Sequence, residues 1–464
     1  MTLLSTYLGL PHELRQIAAV GVSFYHRAIR HGAIYRETVR RQETSEYWTR
    51  DEMRQYQSRK LRKLLSEARS GTHFYSQTLG AWTPGELDEI AAELQIDRLP
   101  LLEKSILKAR TPDFLNRLRR SVASSATSGS TGARLRVQYD RESLQQRQAY
   151  VHRHRAWAGC KADARSVRLS GRQIIPSDRH TPPFWIHNPI ENQLIVSTYH
   201  LNPEHIDAVL DAMIRFEPEL LDGYPTAIEH IARACAQRGR ALPRLKAVIS
   251  TAETLTPDLR GSIEDNLGVK VLDYYAASEG VPIIQQCIHG RYHLREETGI
   301  FEFIRSDGTA AEPGDTAELV ATAFCQWKTI LIRYRTGDLM TLPEGTEAPC
   351  PCGRPSPWVK SIVGRQEDLV VTPDGRTIGM FSYRTLKHVS GILEAQIVQE
   401  RPGLFRVIAV LDGSMGEPVV EAETRRVFSS VLGFEPTIGF EYVIAIPRGP
   451  NGKFRSVIRN FKQH

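Results

Sequence analysis

Between His200 and Gly280 the hydrophobic pattern changes period repeatedly, and this alternation constrains the fold more than any other feature of the chain. Ile206, Val209, Leu210 and Met213 recur at helical spacing. Leu220-Leu221-Asp222-Gly223-Tyr224-Pro225 reads as a short strand ending in a turn, and Ala227 to Cys235 is helical again. Lys246 to Ser250 reads as a buried strand. Pro257 to Asn266 reads as a helix with Thr256 as N-cap and Pro257 at the first position, and Val269 to Asp273 as the next strand. Short apolar strands alternating with helices predict a parallel α/β sheet, whose ligands sit beyond the carboxyl ends of the strands. Two polar segments fall there: Thr251-Ala252-Glu253, and Tyr274-Tyr275-Ala276-Ala277-Ser278-Glu279-Gly280.

Upstream, the nine residues Ser124 to Gly132 are all small or hydroxylated. Such a stretch can curl and aim backbone N–H groups and hydroxyls at one point, which suits a phosphate chain. A flexible linker is the alternative, but the stretch is short and runs directly into Leu135-Arg136-Val137-Gln138-Tyr139, which alternates like a strand. No Gly-Lys-Ser/Thr follows, so a Walker-type NTPase is disfavoured. Residues Ser45 to Ser70 read as one long amphipathic helix ended by the Gly71-Thr72-His73-Phe74-Tyr75 turn, and Leu99 to Lys104 leads into another helix. Beyond Gly280, Ile300 to Ile304, Ala317 to Ala323 and Thr329 to Tyr334 read as extended, predicting a β subdomain that is largely antiparallel. After Arg365, strand, helix and strand alternate in a small α+β domain.

The 464 residues are enough for two domains, and the net charge of +7 is moderately basic. Much of the basicity lies early, at Arg27, Arg30, Arg36, Arg40, Arg41, Arg54, Arg59, Lys60, Arg62 and Lys63. No aromatic platform or zinc-finger spacing accompanies it, so no nucleic-acid partner is expected. No apolar run reaches the roughly 18 residues of a membrane span, and no signal peptide is legible at the start, so no membrane partner is expected. Six cysteines in a chain of this size make no disulfide framework, and a cytoplasmic location is the expectation.

Five segments, in order along the chain, resemble the motifs of adenylate-forming enzymes, the superfamily of acyl-CoA synthetases, luciferases and peptide-synthetase adenylation domains. They are Thr127-Ser128-Gly129-Ser130-Thr131-Gly132, Tyr275-Ala276-Ala277-Ser278-Glu279, Tyr334-Arg335-Thr336-Gly337-Asp338, Gly364-Arg365-Gln366-Glu367-Asp368 and Pro447-Arg448-Gly449-Pro450-Asn451-Gly452-Lys453. The opening helix and turn, Gly223-Tyr224-Pro225 and Ala252-Glu253 are similar to the phenylacetate–CoA ligase branch. Three departures stand out: Ala133-Arg134 replaces the loop lysine, Ala276 replaces a glycine, and Glu367 takes the hinge aspartate's place.

The resemblance implies a large N-terminal domain, residues 1–363, with parallel α/β sheets plus a β subdomain. It also implies a small mobile α+β C-terminal lid, residues 364–464, carrying the catalytic Lys453. It implies that Thr127, Ser128, Gly129, Ser130, Thr131 and Gly132 hold the phosphates of ATP and that Glu279 holds Mg²⁺. Tyr275, with Tyr274, Ala252 and Glu253, would line the adenine pocket, and Ser278 would touch the α-phosphate. Asp338 would accept both ribose hydroxyls, and Arg365 would contact ribose or phosphate. The implied reaction joins a carboxylic acid, an aromatic one being a candidate, to coenzyme A through an acyl-adenylate. Trp185, Tyr224 and Tyr274 are candidates for lining the acid pocket. Adenylation without coenzyme A, or a binding protein on this fold, are the alternatives, and the family allows a homodimer.

Cys350-Pro351-Cys352-Gly353-Arg354 is a tight Cys-x-Cys turn, and Cys287 lies just before His289 and His293. Three thiolates and one imidazole suit structural zinc, and the phenylacetate–CoA ligase-like pattern favours His293 over His289. Against it, Cys-x-Cys is a less usual spacing than Cys-x-x-Cys, and the pairs lie far apart in sequence. Cys160, Cys235 and Cys325 read as buried thiols. His26, His31, His73, His180, His187 and His200 show no ligand spacing, and His152-x-His154 reads as a surface feature.

Overall fold

The short strands predicted in the middle of the chain are buried on both faces, as a parallel sheet covered by helices requires. The structure, a computed structural model, describes residues 3–126, 135–365, 369–375, 377–378, 381, 385–386, 389–447 and 454–461. Strands β1 (Ala123–Ala126) and β2 (Arg136–Tyr139) pair antiparallel on either side of the small-residue stretch, whose residues 127–134 lie outside the described residues.

The main sheet is built from β3 (Ser166–Ser170), β4 (Trp185–Asn188), β5 (Gln193–Ser197), β6 (Leu220–Gly223), β7 (Ala247–Thr251), β8 (Lys270–Tyr275), β9 (Ile284–Gln286) and β10 (Tyr292–Leu294). A late strand, Trp358–Val359, adds to the β10 edge. From that edge the order runs β10-β9-β8-β7-β6-β3-β5-β4, and the inner set β5, β3, β6, β7 and β8 is parallel. Helices Ile206–Phe216, Pro225–Gln237 and Pro257–Leu267 cover one face, burying Leu210, Met213, Ile228, Ile231 and Ile263 against Val167, Leu169, Leu221 and Val248. Helix Arg141–Trp157 covers the other: its Arg155 lies 3.6 Å from Asp222, the strand neighbour of Leu221.

Strands β11 (Gly299–Ile304), β12 (Thr316–Ala323) and β13 (Tyr334–Thr341), with β14 as the Trp358–Val359 strand named above, lead to β15 (Ser361–Arg365). β11, β12, β13 and β15 form an antiparallel sheet in that order. A C-terminal α+β domain follows. After the short hairpin β16 (Val370–Val371) and β17 (Thr377–Ile378) come β18 (Ile392–Arg401), β19 (Leu404–Leu411), helix Glu417–Leu432, β20 (Thr437–Tyr442) and β21 (Val457–Arg459). Phe381, Phe405 and Phe428 pack its core. The mixed architecture expected from the alternation of periods is present: parallel sheet, β region and C-terminal α+β domain.

Several local expectations are corrected. The helix expected over Ser45 to Ser70 is present as Arg50–Gly71, with its start later than expected because a separate helix, Ala33–Ser45, ends at Ser45. Thr49 and Glu52 form a reciprocal capping box that starts the helix at Arg50. An earlier helix, His12–Arg30, also went unread. Thr329 to Arg333 is not a strand, and pairing begins at Tyr334. Tyr274 and Tyr275 are the last residues of β8 rather than residues following it. His152-x-His154 is buried, not a surface feature: Tyr35 and Gln148 hydrogen-bond the His152 ring, and His154 Nε2 meets the Gln286 carbonyl at 2.9 Å. Cys160, Cys235 and Cys325 are buried as expected.

One carboxylate ties these layers together. Glu46, in the turn between the two helices, is fully buried. It accepts from Arg153 Nε, from Trp157 Nε1 at 2.9 Å and from Arg354 Nε at 3.0 Å, and Arg295 lies 3.5 Å away. Burial alone would push its carboxyl up, but the Arg295, Arg153 and Arg354 guanidiniums outweigh burial and hold it below the ordinary glutamate range. That contribution is complete above the ordinary glutamate range and is lost as the pH falls through the depressed value. Replacing Glu46 by Gln should cost about 3 kcal/mol, because it leaves buried guanidiniums uncompensated. Chemical denaturation at neutral pH checks this, and the gap to wild type should shrink on acidification.

Candidate active site and a cysteine–histidine cluster

The carboxyl ends of the parallel strands carry both polar segments singled out in the sequence. β8 delivers Tyr275 to the sheet edge, and β13 and β15 bring Asp338 and Arg365 beside it as direct register partners. The Tyr275 hydroxyl donates to Asp338 Oδ2 at 2.6 Å, and Arg365 Nε lies 3.8 Å from Asp338 Oδ1. Burial pushes the Asp338 carboxyl up, with Arg365 and the Tyr275 hydrogen bond opposing. Burial, and then the Asp338 charge, raise Tyr275 so that its phenol stays protonated as the donor. The turn before Asp338 is locked: Gly337 takes φ +75°, its N–H donates to Glu318, and Thr336 Oγ1 accepts the Asp338 N–H at 3.0 Å.

Glu279 is buried a few residues beyond Tyr275. Tyr334 OH donates to its Oε1 at 3.4 Å, and Lys104 Nζ lies 3.8 Å from the same oxygen. The intervening segment is a turn with no helix after it, so Ser278 and Glu279 cap nothing. Ser278 is exposed, and its carbonyl accepts from Tyr139 OH at 2.7 Å. Tyr139 ends β2, so this bond ties the end of that strand to Ser278.

At the end of β7, Ala252 adopts φ +71°, a left-handed conformation costly for a residue with a Cβ. Glu253 accepts from Thr226 Oγ1 at 2.7 Å and from the Phe454 N–H at 3.2 Å. Phe454 directly follows Lys453, so the start of the final segment reaches this edge. Lys453 itself lies outside the described residues, as do Thr127, Ser128, Gly129, Ser130, Thr131, Gly132, Ala133, Arg134, Gln366, Glu367 and Asp368. Tyr274 points away from Asp338: strand alternation turns its ring to the opposite face, 5.6 Å from His154. Trp185 lies on the outer strand β4, where it lines a groove with Arg165, His187, Arg215 and Phe216.

Tyr139, Lys104 and Tyr334 join the site without having been assigned to it. Tyr334 opens the Tyr-Arg-Thr-Gly-Asp motif, and that was the one available signal. Lys104 had none, because its proximity to Glu279 comes from chain segments far apart in sequence.

The cysteine residues converge as well. Cys287, His293, Cys350 and Cys352 place their ligand atoms within 4.8 Å of one another. Cys287 and Cys350 Sγ are 3.6 Å apart, and Cys352 Sγ is 3.3 Å from His293 Nε2. Thiolates around tetrahedral zinc stand about 3.8 Å apart at bonds of about 2.3 Å, so the set fits that ion. His293 Nδ1 contacts Ser356 Oγ at 3.0 Å, an outer contact that leaves Nε2 facing the sulfurs. Burial lowers the His293 pKa to about 4, which keeps the imidazole a neutral donor. His289 is not in the group.

The CapK C-terminal domain family matches residues 370–460. Protein CapK of Staphylococcus aureus is 28% identical over 370 residues, covering 79% of this chain and 81% of that protein. Phenylacetate-coenzyme A ligase of Thermus thermophilus is 24% identical over 402 residues, covering 83% and 84%. Among solved structures, a 2-hydroxyisobutyryl-CoA ligase in the postadenylation state with R3-HIB-AMP shares the fold with a TM-score of 0.67 at 16% identity, covering 87% of this chain and 88% of that one. The fold is that of adenylate-forming CoA ligases. In sequence and fold the chain is similar to the adenylate-forming superfamily, and within it to the phenylacetate–CoA ligase-like branch. No helix among the described residues is long and apolar enough to cross a membrane.

The cluster geometry makes a direct prediction. Cobalt-substituted protein should show thiolate-to-metal charge transfer, Cys352→Ser should weaken it strongly, and His289→Ala should leave it unchanged. An unaltered band in Cys352→Ser would remove that residue from the ligand set.

Proposed function

We propose that this protein activates a carboxylic acid with ATP and Mg²⁺, forming an acyl-adenylate and releasing pyrophosphate, and then passes the acyl group to coenzyme A with release of AMP. The observation that carries this reading is the convergence of Tyr275, Asp338 and Arg365 beside Glu279 at the carboxyl edge of the sheet. A carboxylate is acceptor-only and takes two hydroxyl donors, so Asp338 suits a ribose, and Arg365 suits the ribose or the phosphates. Tyr275 would lie against the adenine, with Ala252 and Glu253 at the neighbouring strand end. Glu279, a hard oxygen ligand, would hold Mg²⁺, whose role is to neutralise charge on the transferring phosphate. Thr127 to Gly132 would cradle the phosphates, with Ser278 at the α-phosphate.

In the first step a substrate carboxylate oxygen attacks the α-phosphorus and pyrophosphate leaves. In the second a thiol sulfur attacks the acyl carbon, and AMP leaves with the oxygen it gained. Lys453 would follow the charge between carboxylate and α-phosphate, as a flexible ammonium can. Residues 364–464 would act as the lid, with Gly364 as the hinge. Gly364 has φ +113°, and a Cβ there would meet Thr254 Oγ1 at 3.1 Å. Cys287, His293, Cys350 and Cys352 would hold a structural zinc ion.

The same edge supports a finer reading of the acid. Arg172 lies just past the end of β3, and among the described residues no carboxylate stands within ion-pairing distance of it. Arg168, on the strand itself, is taken up by Asp222 at 2.6 Å. β3 is three strands from β8, about 14 Å at the usual strand spacing, and a small acid between Arg172 and the nucleotide would have to bridge that span. An acid bearing a second anionic group fits this arrangement better than a plain aryl acid.

An acceptor other than coenzyme A is the second reading. It is favoured by the match of the lid region to the CapK family and by the CapK relative's coverage of most of the chain.

Pyrophosphate release should depend on the acid, and acids with a second anionic group should exceed monoanionic aryl acids at least tenfold in kcat/KM. Arg172→Ala should narrow that ratio. Lys453→Ala should abolish adenylation without altering thermal stability, and Asp338→Ala should weaken ATP binding at least tenfold. Parent-rate pyrophosphate exchange by the lysine variant would reject its role. Thioester formed only with coenzyme A would decide between the acceptors.

A further inference from the structure

The histidines outside the site show no ligand spacing in sequence, yet the fold gathers two of them with a glutamate. The β3–β4 connection carries His180, and the segment entering helix Ile206–Phe216 carries Glu204 and His205. One ligand atom from each lies within 4.8 Å of the others. Glu204 Oε1 is 3.7 Å from His205 Nε2, and the His180 and His205 ring centroids are 6.3 Å apart.

A second observation points to a ligand. His205 is only 6% exposed, yet neither of its ring nitrogens has a hydrogen-bond partner. Buried imidazoles ordinarily satisfy both nitrogens, because an orphaned polar atom loses its water with nothing in exchange. The ring is also fixed in place: Phe184, fully buried, packs on it at 4.4 Å and stacks on His200 at 4.8 Å. The neighbouring cation, Arg179, is tied to the Thr181 and Pro182 carbonyls at 2.6 and 3.0 Å.

We propose that His180, Glu204 and His205 form a thiolate-free site for a divalent transition metal ion, pinning the β3–β4 connection to the start of helix Ile206–Phe216. Two imidazoles and one carboxylate suit zinc and its neighbours, whereas magnesium and calcium take oxygen cages. Bonds of about 2.0–2.2 Å need the ligand atoms somewhat closer together than they stand. His180 and Glu204 are exposed and can rotate in, while His205 is held as the fixed ligand. Three protein ligands leave a fourth position for water on the exposed side. The site is independent of the adenylation reading, because it uses none of the residues assigned to it.

Cobalt and zinc titrations of the full, metal-stripped chain test it. With the cysteine cluster weakened by Cys352→Ser, the variant should still bind one equivalent of cobalt with weak visible bands, distinct from any residual thiolate charge transfer of Cys287 and Cys350. His180→Ala or Glu204→Gln added to that background should weaken binding at least tenfold. Both replaced residues are exposed, so the metal-free melting temperature should not move. In otherwise wild-type protein, zinc should slow proteolysis within residues 171–184, and it should not do so in His180→Ala. Equal cobalt affinity with and without His180 and Glu204, or zinc protection that survives His180→Ala, overturns the site.

Discussion

The burial of Glu46 sets the condition on which much of the large domain depends. A carboxylate removed from water is tolerated only where opposite charge and hydrogen bonds replace hydration. Here the replacements come from three different places in the chain. Arg153 belongs to the helix that covers one face of the main sheet. Arg295 leaves the β10 edge, and Arg354 follows the Cys-x-Cys turn directly. Arg354 also lies over the Trp157 ring at 3.8 Å, so the turn is held against that helix by charge and by the aromatic face together. The cysteine–histidine cluster is therefore attached to the sheet by neighbouring contacts as well as by its own donors.

The sheet edge shows a similar economy of parts. Parallel strands end together, so residues distant in sequence arrive side by side at one rim. β7 brings Ala252 and Glu253, and β8 brings Tyr275 and, through its following turn, Glu279. The antiparallel region then supplies Asp338 and Arg365 as register partners, and Phe454 reaches Glu253 from the far end of the chain. Tyr275 and Asp338 protect each other: the phenol stays protonated in its buried place and satisfies one carboxylate oxygen, leaving the other towards Arg365.

The legibility of this protein varied with the range of the interactions involved. Helix Pro257–Leu267 was readable to within a residue, because Thr256 and Pro257 mark its start by local chemistry. The start of helix Arg50–Gly71 is marked by the same kind of local chemistry, Thr49 and Glu52 at capping-box spacing, and the expected start at Ser45 lies a turn too early. Tyr275 opens the motif, and Tyr274 beside it was expected to line the nucleotide or acid pocket as well. The pleat alone sends one to Asp338 and the other to His154.

By itself the sequence determined the class of fold, through the period of its apolar residues, and the order of the motifs that mark the superfamily. Both are local properties, written in spacing and in short runs of residues. Which histidines are buried, and that Lys104 and Tyr334 face Glu279, came only from the tertiary structure, which also gathers His293, already favoured over His289 by the sequence pattern, with the three cysteines. It also brought His180 to Glu204 and His205. Those outcomes depend on strand order, register and the direction of each pleat, which join residues that no local pattern connects.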